Sequence, residues 1–561
     1  MTTILTLHDP QQAHAYYASG VWQDKTLYGM LQQHAASQPD GFALRDSVHR
    51  LTWSQVLAWV DAVAADLEEA GLRKGSRVSV WLPNRVEALV IFLACSRNGY
   101  ICNPSLHQNY TVAEIVRLLE RIDAEAFFGQ KGYGADANRP GVAEQIGAVA
   151  SLRRTCWLEP RKSRTDTTAG EFPVSNGRKP VQAPDTNPDK IVYLAFTSGT
   201  TGLPKAVMHS DNTLLANGRA MVKDWHHDRN TILLTLSPIS HHIGTVALEQ
   251  MLAAGFELAV NDVPPGLKPI DWILETGATY VMGVPTHAMD ILAEMKRRDM
   301  EKLGRVKVFY MAGAAIPRET AQGFVNRGIL PQNVYGMTEN GSHQYTLPSD
   351  STDTIVGTCG RACAAYEIKL WNQENPDLEA APGEIGEIGG RGGCLTLGYF
   401  NNQSATEKSF NSSGWFMSGD LGMFDANGCL IIMGRKKDLI IRGGHNIHPS
   451  TIEDLAITHS AVLKAAAFPI ADDRLGEKVC LAVTTHGGEA PGAEEMLRHL
   501  HDAGLSKFDM PEYYIPLEEF PLTASGKILK RELVEWVKQG RIAPAPVRFV
   551  APEKQSTKDT H

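Results

Sequence analysis

A chain of 561 residues is too long for one hydrophobic core, so at least two domains are expected. Hydrophobic residues at 43% and charged residues at 21% are ordinary globular proportions. A net charge of −9 with no evident basic face argues against nucleic acid as the main partner and leaves any phosphate-bearing ligand to local basic groups.

In chain order, the N-terminus MTTILTLHDP has no basic segment followed by an apolar stretch, so it does not read as a signal peptide. Leu51-Thr52-Trp53-Ser54-Gln55 reads as a strand end running into a helix, with Thr52 and Gln55 at capping-box spacing. Val56, Leu57, Val60, Val63, Ala64 and Leu67 follow at helical period, and Gly71 is placed to end the helix. Arg77 to Leu82 reads as a buried strand, with a helix after Pro83. The apolar region Val78 to Cys95 is broken by Pro83, Asn84, Arg85 and Glu87 and is no membrane span. Alternation of this kind predicts an α/β fold with largely parallel sheets.

Residues 159–188 are rich in Lys, Arg, Thr, Pro, Asn and Asp, and read as a surface linker between two parts of a large N-terminal region. A strand, Lys190 to Phe196, follows it. The tail after about Pro546 is polar, and its last residues, KDTH, match no address signal. The eight cysteines are scattered, without zinc spacing, and read as buried free thiols of a reducing compartment; cytoplasm is the expected location.

The strand at 190–196 leads into Thr197-Ser198-Gly199-Thr200-Thr201-Gly202-Leu203-Pro204-Lys205. Glycines permit tight backbone angles, hydroxyls supply donors and Lys205 supplies charge, so such a loop can wrap a polyphosphate. It is not a Walker A loop, because Pro204 precedes Lys205 and Ala206 follows it. The bland alternative is a Ser/Thr/Gly surface turn. Taken whole, the string resembles the signature of the adenylate-forming superfamily, which holds acyl-CoA synthetases, peptide-synthetase adenylation domains and luciferases.

Six further segments, in the expected order, carry the same resemblance. Pro238-Ile239-Ser240-His241-His242-Ile243-Gly244 is similar to a family segment whose histidine lies near the carboxylate pocket, which implies that role for His241. A metal-binding or purely structural histidine pair is the alternative; the HHxxxD acyltransfer motif fails, since Val246 stands where Asp is needed. Met311-Ala312-Gly313-Ala314-Ala315 resembles the small-residue stretch beside adenine. Tyr335-Gly336-Met337-Thr338-Glu339 resembles the segment whose aromatic ring stacks on adenine, whose Thr bonds the α-phosphate and whose Glu holds Mg²⁺. In Gly414 to Gly422, Asp420 matches the carboxylate that accepts from the ribose hydroxyls. In Gly434 to Gly444, Arg435 resembles a second ribose contact, Lys437 the hinge, and Gly443 and Gly444 the backbone lining a CoA pantetheine tunnel. His445 stands where many members carry Glu, and its role is open. Pro521 to Lys527 resembles the C-terminal motif whose lysine, here Lys527, reaches the carboxylate and the α-phosphate.

The resemblance implies an α/β fold with a large N-terminal region of layered subdomains, residues 1–435, and a small mobile α+β C-terminal domain, residues 436–545, before the polar tail 546–561. It also implies an ATP-dependent acid–thiol ligase using Mg²⁺ and CoA, with catalysis by Lys205, His241, Thr338, Glu339 and Lys527. Nucleotide contacts would come from Thr197, Ser198, Gly199, Thr200, Thr201, Gly202, Lys205, Gly313, Ala314, Ala315, Tyr335, Gly336, Met337, Thr338, Asp420, Arg435 and Lys527. Rotation about Lys437 would exchange Lys527 for the glycine-rich segment between the two half-reactions. Ile239, Ile243, Val246, Met282, Val284, Met289, Ala312 and Ala314 suit an apolar acyl group. The nearest likeness is to bacterial medium-chain and cyclohexanecarboxylate–CoA ligases, with aromatic acids also open. Homodimers are common in the family. The alternatives are an adenylation enzyme serving a carrier protein, although Ser237 to Gly244 offers no Asp for an ammonium, a luciferase-like oxygenase, and an inactive nucleotide-binding scaffold.

Overall fold

The computed structural model describes residues 4–166, 170–175, 177–197, 204–264, 266–313, 316–485, 487–522 and 528–549. Two compact units divide the chain: Met1–Lys369 with Gly389–Met417 and Phe424–Ile431, and Leu370–Ile388 with Ser418–Met423 and Ile432–His561.

The first unit contains two large sheets. One has six strands in the order Arg154–Leu158, Ala124–Gln130, Arg77–Trp81, Ile101–Asn103, Ile191–Thr197 and Lys205–Ser210. All its neighbours are parallel except the last pair, an antiparallel hairpin. The other has nine strands, six of them consecutive and parallel: Leu330–Met337, Val308–Met311, Tyr280–Gly283, Ile232–Thr235, Glu257–Val260 and Phe42–Arg45. Antiparallel strands close both of its edges. The helix Trp53–Glu69 starts on the expected capping box. The Thr52 hydroxyl accepts from the Gln55 amide at 3.3 Å, and the Gln55 side chain accepts from the Thr52 amide at 2.9 Å. Its apolar face is buried, and Gly71 follows its end at φ 82°. The helix after Pro83 runs from Val86 to Asn98 and is buried along its whole apolar length.

Residues 159–188 carry no helix or strand among those described, as the composition implied, but they are not a loose surface linker. Arg161 reaches Asp46 at 2.7 Å, Glu87 at 3.1 Å and Asp262 at 2.6 Å. Phe172 is buried, edge-on to Trp59 at 5.7 Å and Phe128 at 5.8 Å. The Trp59 indole donates to the Pro173 carbonyl at 2.6 Å, and buried Asp185 pairs with Lys74 at 2.8 Å. A few paired or buried side chains anchor a segment whose composition alone reads as unanchored.

Strands Tyr366–Trp371, Gly386–Gly392, Phe416–Phe424 and Leu430–Arg435 form a four-stranded sheet in that order. The second unit has a sheet ordered His445–Ile447, Ile440–Arg442, Gly476–Thr485, Tyr513–Pro516 and Ala545–Pro546, with Val462–Asp472 also paired to Gly476–Thr485. Helices Pro449–Ile457, Ala493–Asp502 and Lys530–Lys538 complete its α+β composition. Ile452, Val479, Leu481, Met496 and Leu500 are among its buried core residues. All eight cysteines are free and seven are buried. Among the described residues, no helix is long and apolar enough to cross a membrane.

Candidate active site

In an open parallel sheet, ligands are met beyond the carboxyl ends of the strands. Three parallel strands of the nine-stranded sheet, two of them neighbours and the third one strand away across Tyr280–Gly283, deliver expected site residues there. Ile232–Thr235 leads through Pro238 to His241, the residue that begins the helix His242–Ala254. Val308–Met311 leads to Ala312 and Gly313. Leu330–Met337 carries Tyr335, Gly336 and Met337, and Thr338 and Glu339 follow. The six-stranded sheet delivers Thr197 and Lys205, which face each other across the antiparallel hairpin. Ser198, Gly199, Thr200, Thr201, Gly202, Ala314, Ala315 and Lys527 lie outside the described residues.

The two adjacent histidines have different surroundings. The His241 ring stacks on His107 at 5.1 Å, and His107 Nδ1 is 3.0 Å from the Ser240 hydroxyl. Burial pushes the His107 imidazole down to about 4, so it is neutral at pH 7. His242 is buried against His209 at 5.5 Å and bonds to the Tyr193 hydroxyl at 3.3 Å. His209 Nε2 lies 2.7 Å from the Thr338 carbonyl. A carbonyl only accepts, and burial pushes His209 down to about 4, so Nε2 carries the proton of a neutral ring. His242 thus belongs to a buried aromatic layer that holds the Thr338 backbone. Among the described residues, the one cluster of three with metal-ligand spacing is Asp46, His49 and Glu87, and there Arg161 already supplies the positive charge.

Tyr335 is nearly buried and meets His343 edge-to-face at 5.6 Å. The turn after it needs glycine for a reason internal to the fold. A Cβ on Gly336 would stand 1.8 Å from the Gly341 carbonyl oxygen. Gly336→Ala is therefore expected to cost about 3 kcal/mol, the upper end of overpacking, visible as a large fall in the thermal midpoint. An unchanged midpoint would contradict this. Glu339 is buried, accepts from the Tyr399 hydroxyl at 3.0 Å, and accepts at its carbonyl from the Thr396 amide at 2.6 Å. The Lys205 ammonium stands 4.4 Å from the centre of the Tyr399 ring.

In the second unit, Asp420 and Arg435 form an ion pair at 3.1 Å, and the Gly419 amide donates to Glu387 at 3.2 Å. Lys436 pairs with the same Glu387 at 2.9 Å. Lys437 lies in a single turn, Lys436–Asp438, between the strands Leu430–Arg435 and Ile440–Arg442. Burial and the Arg435 charge push its ammonium below the ordinary lysine value. Gly443 and Gly444 are the two-residue tip of the hairpin pairing Arg442 with His445. Their φ angles of 61° and 86° are both left-handed, the requirement of a type I′ turn. His445 pairs with Asp509 at 2.7 Å, which gives this residue a partner that its sequence neighbours do not indicate.

Carboxylate, ammonium, hydroxyl and aromatic groups around parallel-strand ends define an α/β enzyme with a small-molecule site. Residues 31–400 match the family described as AMP-binding enzyme, and residues 451–527 match the AMP-binding enzyme C-terminal domain. The medium-chain fatty-acid–CoA ligase of Escherichia coli (strain K12) is 29% identical over 539 residues, 94% of this chain and 93% of that protein. The vibriobactin-specific 2,3-dihydroxybenzoate-AMP ligase of Vibrio cholerae is 29% identical over 543 residues, 95% of this chain and 98% of that protein. ATP-bound MatB from Rhodopseudomonas palustris superposes with a TM-score of 0.79 at 26% identity, covering 92% of this chain and 99% of that one. The chain belongs to the AMP-binding enzyme family, within the adenylate-forming superfamily, and is an enzyme of the AMP-forming acid–thiol ligase kind.

Proposed function

We propose that the protein is an ATP-dependent acid–CoA ligase. A carboxylate attacks the α-phosphorus of ATP to give acyl-AMP and pyrophosphate. The CoA thiol then attacks the acyl carbonyl to give acyl-CoA and AMP. The observation that supports this reading is that His241, Gly313 and the Tyr335–Glu339 segment each follow or end a parallel strand of one sheet on its carboxyl side. Residues 1–435 are the adenylation domain in this reading, and 436–545 the C-terminal domain.

A carboxylate repels a triphosphate, so attack needs fixed positive charge and oriented donors. Lys205 and Lys527 supply charge, the hydroxyl-rich loop from Thr197 to Gly202 supplies donors, and Thr338 bonds the α-phosphate. His241 orients the acid. Preorganised groups of this type contribute about 3–4 kcal/mol each, or about 10²–10³ in rate. Glu339 offers the oxygen donors that Mg²⁺ takes, and phosphate oxygens and water complete such a set. Bound there, Mg²⁺ would offset phosphate charge. Tyr335 stacks on adenine, while Asp420 accepts from the ribose hydroxyls beside Arg435. The glycine pair at 443–444 offers side-chain-free backbone to pantetheine.

For the acid, we favour an apolar medium-chain, alicyclic or aromatic carboxylate. Ile239, Val246, Met282 and Ala312 are buried and apolar near the strand ends, and the Escherichia coli relative is a medium-chain ligase. The test is turnover with ATP, Mg²⁺ and acids from acetate to palmitate, cyclohexanecarboxylate, benzoates and amino acids, with and without CoA. CoA-dependent thioester from one apolar class is the expected result. Pyrophosphate release without thioester would replace CoA by another acceptor, such as a carrier protein. No acid-dependent pyrophosphate from any acid would overturn the reading.

A further inference from the structure

Thr396 to Phe400 joins two parts of the candidate site that the motifs treat separately. The Leu397 amide donates to the Met208 carbonyl at 2.9 Å, the Met208 amide to Gly398 at 3.0 Å, and the Phe400 amide to Ala206 at 2.8 Å. Val207 and Tyr399 form an antiparallel bridge. The segment therefore runs as an extra edge along Lys205–Ser210, the strand that leaves the glycine- and hydroxyl-rich loop. Its first residue is also bonded to Glu339, through the Thr396 amide and the Glu339 carbonyl at 2.6 Å.

Tyr399 stands in this segment with 5% of its surface exposed. Its amide donates to the Thr406 hydroxyl at 3.0 Å, which fixes its backbone. Its hydroxyl donates to Glu339 Oε1 at 3.0 Å, and its ring face lies 4.4 Å from the Lys205 ammonium. A phenol is protonated at neutral pH and a carboxylate only accepts, so the hydroxyl is the donor in this contact. One side chain with only two rotatable bonds thus touches a cation and an anion that the proposed function assigns to the same triphosphate. A cation and an anion held at fixed places by one buried ring are preorganised groups in the physical sense.

We propose that Tyr399 is a positioning residue that sets the spacing between the phosphate-loop lysine, Lys205, and the metal-holding glutamate, Glu339. The hydroxyl orients Glu339 and the ring orients Lys205, so the two contacts are separable by substitution. This inference rests on the ATP-dependent reading above.

The test is calorimetric titration of the full chain with ATP, once with Mg²⁺ and once with chelator. Tyr399→Phe keeps the ring and removes the hydroxyl. A hydrogen bond to a charged group is worth about 10-fold in an equilibrium constant or more. Tyr399→Phe is therefore expected to weaken binding of ATP with Mg²⁺ about 10-fold and metal-free ATP by less than about 2-fold. Tyr399→Leu removes the ring as well, and is expected to weaken metal-free ATP by a further 3- to 10-fold, the range of a cation–π contact. Thermal unfolding of both variants identifies a loss that comes from misfolding, and Tyr399→Phe alone decides the question if the leucine variant does not fold. Equal weakening of both titrations by Tyr399→Phe would mean a merely structural residue, and unchanged binding with Mg²⁺ would also overturn the inference. A wild-type chain that binds no ATP would overturn the functional reading and this inference together; wild-type binding with an unaffected phenylalanine variant sinks the inference alone.

Discussion

Lys527→Ala is expected to abolish acid-dependent ATP–pyrophosphate exchange, by about 10²–10³, the worth of one preorganised charge at a reacting centre. The same variant is expected to form thioester from supplied acyl-adenylate and CoA at a rate within a few-fold of wild type. The two half-reactions need different help. In the first, negative charge gathers on a carboxylate, an α-phosphate and a leaving pyrophosphate, and an ammonium that reaches the first two lowers the barrier directly. In the second, the thiol attacks a carbonyl already activated and AMP departs with the bonding pair, and the rotation expected about Lys437 takes Lys527 away and brings the glycine-rich segment in its place. Lys527→Arg keeps the charge with a broader, planar head group and is expected to recover part of the exchange rate. The measurement is exchange with a responsive acid, followed by a single-turnover thioester assay with synthetic acyl-adenylate. Equal loss in both assays would remove Lys527 from the specific role and leave it a structural residue.

Much of the fold was legible because its signals are local. Thr52 and Gln55 are three residues apart, so their capping box can be read from the string and is the one the helix uses. The buried strand at Arg77–Trp81 and the helix after Pro83 follow from hydrophobic runs and one imino acid. The motif segments place His241, Gly313, Tyr335, Thr338 and Glu339 beyond or near strand ends because each sits where an apolar run stops. What the string does not display is contact at a distance. Tyr399 meets Glu339 across 60 positions, His209 meets Thr338 across 129, and His445 meets Asp509 across 64. No periodicity marks such pairs, and an isolated Tyr or His looks like any other. The same limit explains 159–188. Composition averages over the segment, whereas Arg161, Phe172 and Asp185 anchor it one by one.

Arg161→Met is expected to be the most costly single change within that segment, at about 3–5 kcal/mol, because it removes one partner of a buried charge cluster and leaves the others. Asp46 and Glu87 have side chains 0% and 1% exposed, so water cannot replace the guanidinium. Arg85 still pairs with Glu87 at 2.6 Å, but among the described residues Asp46 keeps backbone amides and His49. Burial raises the Asp46 carboxyl, and the His49 hydrogen bond and the Arg161 charge outweigh it, holding the group below the ordinary carboxylate range. A carboxyl depressed on folding adds stability above its unfolded pKa of about 4, and loses it as pH falls through the folded value. Without Arg161 the folded value rises, so the variant's deficit is full at pH 7 and narrows on acidification. Denaturant unfolding of both chains at pH 7 and at about pH 3, below the unfolded carboxylate value, measures it. An unchanged midpoint at pH 7 would show that the cluster carries no net stability, and a deficit that widens toward acid would contradict the carboxylate origin. ATP affinity measured well below the unfolding transition is expected to stay within about 2-fold of wild type. Arg161 touches no residue assigned to the nucleotide, and a distant anchor acts on the folded fraction rather than on the site.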